Sequence, residues 1–322
     1  MTKLPVSAYA YHHTSDIDVN ARFDANEWES LLNVCVVRAT SALEIPAPGY
    51  DDVHRHHLGD VFRSMAATHR TIRILLADAG PDNPEGVDVL ALARLQLEGL
   101  YAVCLMLEGS RWVDIYLQDH WRKQYVKFLL MREETKALPR WNEFALKSPF
   151  WLTQLRDQFG ITQEQQLTIE HEELGISLPS GFVKHLIPHF PTPGKVLTKI
   201  AAPEKRRMLE RLYPQYIELC SFVHGLPQAS FYKMMFDKRS FHRTLINDEG
   251  VKERFQRLVV AEAFMMSFFS TVQATAELMV LYPANVELPS AAMKAWNPLS
   301  KAHLLAKAVW AIRTEKLLGV IG

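Results

Sequence analysis

Residues 84–107 read PEGVDVLALARLQLEGLYAVCLML. Asn83 and Pro84 supply an N-cap and a first-turn proline, and the run beyond them is apolar on every side of a helix. A helix of that kind belongs in a core, so about 84–108 is predicted to be the buried central helix of the fold. Near its middle it carries Arg94 and Glu98, four residues apart on one face. Unpaired charge is costly to bury, so this pair is either an ion pair that fixes helix register or part of a site.

Working outward, the flanking chain repeats the helical pattern. Asp24 and Glu27 make a capping box for a helix to about Leu43, which Pro46 and Pro48 prevent from continuing. Leu58, Phe62, Met65, His69, Ile72 and Leu76 recur at helical spacing over 52–79, and Gly80-Pro81 ends that run. Beyond the central helix, Ser110 caps a helix to about 137, Ser148-Pro149 opens a short one that Gly160 stops, and Thr162 with Gln165 caps another that Gly175 stops. Further helices are predicted over about 203–224, 248–281 and 297–317, the last beginning at Asn297-Pro298. Prolines and glycines crowd 176–202, which is read as an irregular segment packed through Phe182, Leu186 and Phe190, and a second irregular segment is read at 228–247. No stretch alternates as a strand does. The expected fold is all-α, a multi-helix bundle in a single domain over 1–322.

Composition restricts the partners. The 36 basic residues balance the 36 acidic ones, so no global field recruits nucleic acid and any such contact needs a local patch. Cys35, Cys104 and Cys220 lie far apart in apolar helical runs, which reads as reduced thiols in the cytoplasm. The start of the chain lacks the basic and apolar regions of an export signal. Residues 258–282 are long and apolar, but Glu262, Gln273 and Glu277 interrupt them, and an acidic residue at a span's centre costs about 2.5 kcal/mol or more. A buried bundle helix is the better reading, with no membrane partner, and Glu262 becomes a candidate buried carboxylate.

Two constellations carry chemistry. A guanidinium fork suits phosphate or carboxylate, so Arg94 is a candidate anion ligand with Glu98 orienting it. Tyr216, Cys220 and His224 line one stripe of a later helix at i, i+4 and i+8. His224, which titrates near neutrality, is the candidate acid, base or phosphate ligand, and Glu98 the second catalytic candidate. Cys220 reads more readily as a buried thiol than as a nucleophile. Lys205, Arg206, Arg207 and Arg211 form a basic start to the same helix that could guide RNA, with Arg207 and Arg211 as its ligand-binding candidates. The histidines at 54, 56 and 57 and at 185 and 189 lack the carboxylate pattern of a zinc motif and read as solvated surface. No metal, no cofactor and no glycine-rich phosphate loop is expected. Because buried helices pack together, Arg94, Glu98 and His224 are expected to be neighbours in space.

Arg94-Leu-Gln-Leu-Glu98, preceded by the 69–76 helix, and Tyr216-Ile-Glu-Leu-Cys220-Ser-Phe-Val-His224 together resemble a bacterial all-helical domain family of unknown function. That family has an Arg-x-x-x-Glu helix and a later Tyr/His helix. Cys220 stands where the family would have Ser. The resemblance covers about 53–224, implies that helices 248–317 pack on that core, and brings no activity with it. More distantly the chain is similar to HEPN domains, helical modules that include ribonucleases of toxin and antiviral systems, whose Arg-to-His spacing Arg63 and His69 meet. Two classes of function are therefore open. One is a protein that binds a nucleotide or RNA phosphate at an Arg/Glu/His cluster, up to a HEPN-like ribonuclease. The other is a non-enzymatic helical protein that pairs with itself or another protein, its polar core residues fixing the packing.

Overall fold

The computed structural model describes residues 25–78, 89–135, 150–223 and 249–319. Among them the chain is an all-α multi-helix bundle with no strand. In chain order the helices are α1 (Ala25–Leu43), α2 (Asp52–Asp78), α3 (Val89–Met106), α4 (Arg111–Thr135), α5 (Phe150–Gln158), α6 (Gln163–Leu174), α7 (Pro193–Val196), α8 (Pro203–Val223), α9 (Glu249–Glu277), α10 (Glu287–Ala302), α11 (Leu304–Val309) and α12 (Glu315–Gly319). A 3-10 turn at Leu278–Val280 ends α9, and a π-helical turn at Trp310–Thr314 joins α11 to α12. The chain clusters into two compact units, 1–108 with 193–322, and 109–192.

In the larger unit α3 lies at the centre, packed against α2, α7, α8 and α9, and its longest contact is with α9. From Leu100 to Met106 α3 is buried all round. Its first half keeps one side partly open through Arg94, Leu95 and Glu98. Buried Gln96 offsets its desolvation by donating to the Met65 carbonyl at 2.7 Å, and Thr271 donates to its other end. Gly99 allows α2 to come close: a Cβ there would sit 3.0 Å from Met65 Cγ. The second half of α9 is more deeply enclosed, with Ser267, Ser270, Thr271 and Thr275 all buried. Ser270 and Thr275 return their hydroxyls to carbonyls one turn back, which is how such residues are tolerated in an apolar helix, and the single Thr271 hydrogen is shared between Gln96 and the Ser267 carbonyl. Ala261–Val280 and Val89–Met106 are each long and apolar enough to cross a membrane, and burial inside the bundle accounts for that apolarity. Trp28 of α1, His69 of α2 and Phe264 and Phe268 of α9 pack with their rings tilted where these three helices meet.

The C-terminal region departs from the helix expected to begin at Pro298. Asn285 caps a helix that starts eleven residues earlier, its Oδ1 accepting from the amides of Glu287 and Leu288. Pro298 lies inside α10. The carbonyl it leaves without a donor belongs to exposed Lys294, which water can serve. The chain breaks instead at His303, whose extended backbone and Nδ1, accepting from the Ala306 amide, cap α11.

The smaller unit is α4, α5 and α6 with the segment after α6. Trp121, Tyr125, Phe128, Leu129, Leu152, Ile161, Ile169 and Ile187 form its core. Thr162 and Gln165 make the expected capping box, and Gly175 closes α6 in the left-handed conformation. Residues 176–192 are irregular, as the prolines require, but their anchor is Ile187, 5% exposed, whereas Leu186 is 64% exposed. Only one of two consecutive residues in extended chain can face the core. Phe182 and Phe190 are half-buried, Phe190 edge-on to Tyr116. Beyond the unit boundary, 193–196 form the short helix α7. The irregular segment expected at 228–247 lies outside the described residues.

Candidate functional site

α8 runs antiparallel to α3: Tyr101 donates to the Leu209 carbonyl at 2.6 Å, and further along Tyr216 donates to Glu98 at 3.0 Å. That pairing brings three of the candidate site residues together. Arg94 Nη2 donates to Glu98 Oε1 at 2.7 Å, and the Tyr216 hydroxyl donates to the same oxygen. The guanidinium carbon lies 5.7 Å from the centre of the Tyr216 ring, within cation–π range. Burial works against the charge on Arg94, but Tyr216 and the carboxylate of Glu98 more than offset it and hold the guanidinium protonated. Burial, with the charge of Glu98, pushes the Tyr216 phenol upward, so it remains a donor. The Cys220 thiol, half-buried, lies against Tyr216.

The seam is neither a closed core nor deep. The Arg94 side chain is 16% exposed and that of Glu98 31%. Arg94 Nε, screened from water, has no hydrogen-bond partner among the described residues. An ion pair sealed in an all-round apolar helix is therefore not what α3 holds; Arg94 and Glu98 sit on its one open side. His224 lies outside the described residues, one position past the described end of α8.

Arg206, Arg207 and Arg211 are exposed on α8. Lys205 does not belong with them. It is 2% exposed, and its ammonium reaches Glu108 at 2.6 Å and Glu277 at 4.0 Å. Glu277, fully buried, accepts two bonds from Arg313, Nε at 2.8 Å and Nη2 at 2.7 Å, and a third from Gln273. Thr314 donates to Gln273 in turn, and Glu108 also accepts the Ala201 amide. Two cations and two carboxylates are thus neutralised with their donors placed, which is the condition for burying them at all. Sequence reasoning missed this network because its members lie in three separate helical segments and the turn after α3, and the π-helical turn sets where Arg313 points.

Glu262, a candidate carboxylate from its place in an apolar run, accepts from Gln215 at 2.7 Å and from His303 Nε2 at 3.3 Å. His303 Nδ1 is already an acceptor, so Nε2 carries the proton. Burial, joined by the charge of Glu262, pushes the Glu218 carboxyl up to about 7. Arg63 and His69 do not share a site: Arg63 is half-exposed on Asp60, whereas His69 is buried, its Nδ1 2.8 Å from the Ser267 hydroxyl. His54, His56 and His57 pair with Asp51 and Asp60. Among the described residues no group of His, Cys, Asp and Glu could hold a metal ion. Comparison of the chain with protein-family models, curated proteins and solved structures finds no match.

Proposed function

We propose that the chain binds an anionic group, the phosphate of a nucleotide or of RNA, at the Arg94 edge of the α3–α8 seam. The observation that carries this reading is the incompletely used guanidinium of Arg94 at a partly open edge: Nη2 serves Glu98, while the enclosed Nε has no acceptor among the described residues and a turn of the side chain would present it to a ligand. A guanidinium edge with a donor to spare recognises a phosphate or carboxylate oxygen in its own plane. Tyr216 adds a ring face beside it, and Glu98, held by two donors, fixes the fork. Exposed Arg207 and Arg211 supply the local positive charge that an RNA backbone would track, since the chain as a whole has none. A ribonuclease would need His224 as its acid or base with Glu98 beside the substrate. On this reading the chain is a cytoplasmic member of the all-helical family it resembles.

Calorimetric titration with inorganic phosphate, AMP and a short RNA tests the proposal. Wild type is expected to bind at least one of them. Arg94→Lys should lose that binding with the fold intact, because an ammonium cannot reproduce the planar edge. RNA cleavage that His224→Ala abolishes would add the enzymatic step; binding without cleavage leaves an anion-binding protein.

A second reading has its own observation. One Glu98 oxygen ties Arg94 on α3 to Tyr216 on α8, which is a cross-helix lock of the kind a non-enzymatic interaction protein needs. A double-mutant cycle with Arg94→Lys and Tyr216→Phe would then show coupling in thermal stability, while wild type bound none of the three anions.

A further inference from the structure

The segment after α6 is fastened to α4 through one ring nitrogen that touches two partners of opposite character. His189 Nδ1 lies 3.2 Å from Asp119 Oδ1 and 3.3 Å from Arg122 Nη1. An aromatic ring nitrogen carries either a hydrogen or a lone pair in its plane. Arg122 can only donate, and Asp119, which Lys123 Nζ holds at 2.7 Å, acts as an acceptor. The two contacts therefore exclude each other. We propose that His189 is a proton-driven latch with two positions, bound to Asp119 when it carries the extra proton and to Arg122 when it does not.

The surroundings favour two settings. From α4, Asp119, Arg122 and Lys123 face the imidazole; from α6, Glu173 stands 3.8 Å from Arg122 Nη2. Neutral imidazole with its hydrogen on Nε2 offers Nδ1 to the Arg122 guanidinium. Imidazolium loses that lone pair, repels Arg122, which has Glu173 as its alternative, and donates to Asp119. The carboxylate is only 2% exposed while His189 is 66% exposed, so the proton arrives from solvent and its effect is delivered to a buried anchor on α4. Both settings use an ionised partner, but only the contact between imidazolium and the Asp119 carboxylate joins opposite charges, whereas the Arg122 contact joins one charge to a neutral ring. Acid therefore fastens the segment and alkali loosens it. His120 also lies beside Asp119 and Lys123, but partial burial and the charge of Lys123 hold it below its ordinary value. Three other attachments are indifferent to pH: Ile187 in the core, Phe190 on Tyr116, and the His185 amide on the Thr168 hydroxyl. At the segment's start His171 of α6 places Nδ1 2.6 Å from the Ile176 carbonyl, and the charge of His185 acts on Glu164. The latch thus acts around residue 189 and does not free the whole segment.

Amide hydrogen exchange of the full chain at about pH 5.5 and about pH 8, corrected for intrinsic rates, tests this. Peptides over 185–191 should be several-fold better protected at the lower pH, and those over α6 unchanged. His189→Gln, at an exposed position that leaves the fold standing, should abolish the difference. Nitrogen NMR of His189 should report the Nε2–H tautomer at the higher pH. Equal protection at both values, a difference that survives in His189→Gln, or an Nδ1–H tautomer at the higher pH would overturn the proposal.

Discussion

Arg313 and Arg94 use the same side chain in opposite ways. Arg313 spends Nε and Nη2 together on the two oxygens of Glu277, in a setting where both are buried. Removing one partner of such a pair strands the other, so Arg313→Met should cost about 3–5 kcal/mol, read as a fall in the denaturant midpoint. Arg94 is paired at a partly open edge, and Arg94→Lys, which keeps the charge, should cost about 1 kcal/mol or less. A similar loss in both variants would contradict the distinction. Two buried acid–base groups add a pH signature. Glu218, raised from 4.5 to about 7, holds its proton more tightly folded than unfolded, so its contribution to stability falls as pH rises through that window. His69, lowered from 6.5 to about 4 by burial and then by Arg73, is kept neutral, so its contribution is present above 6.5 and is lost as pH falls toward 4. The two slopes oppose each other between 4.5 and 6.5. Glu218→Gln should uncover the His69 slope there and raise stability near pH 8 by about 1–3 kcal/mol, by chemical denaturation across the range. An unchanged profile in that variant would mean Glu218 titrates as if in water.

Among elements, the signals that the sequence made legible were local ones. The Thr162 and Gln165 capping box, Gly175 as the stop of α6, and the helical spacing over α2 each depend on residues within one or two turns of each other. What was not legible depends on direction and distance. Pro298 reads as a helix start because nothing nearby says that Lys294 faces water. The anchor of the irregular segment 176–192 is Ile187 and not Leu186, a choice between consecutive apolar residues that only the partner core decides. Arg94, Glu98 and His224 are expected to meet because two apolar helices with polar interruptions have few ways to pack; the residue of α8 found on Glu98 is Tyr216, and His224 lies outside the described residues. Lys205 reads as surface because it sits in a basic run, yet it occupies the one position there that turns toward Glu108. Its burial yields an element-scale expectation: Lys205→Met should leave Glu108 and Glu277 under-compensated and lower stability by about 3 kcal/mol or more. Arg206→Met, one residue along and exposed, should change it by about 0.5 kcal/mol or less, and equal effects in thermal melts would refute the assignment.

At the scale of the molecule, the balance of charge and the helical periodicity determine most of what can be said. Circular dichroism should report a helical content well above half, and a value below half would contradict the fold. The larger unit holds its buried charges in a network where α3, α8, α9 and the C-terminal π-helical turn converge, and its open polar edge further along the α3–α8 seam. The first arrangement is complete, with each charge answered. The second has a donor left over, which is why ligand binding is assigned to it and packing to the other. The most direct measurement is a crystal structure grown with AMP or inorganic phosphate. A phosphate oxygen is expected within hydrogen-bonding distance, about 3 Å, of the Arg94 guanidinium, with the side chain turned so that the now enclosed Nε meets the ligand. An Arg94 Nε bonded to a fixed protein acceptor, with the anion elsewhere or nowhere, would contradict that assignment.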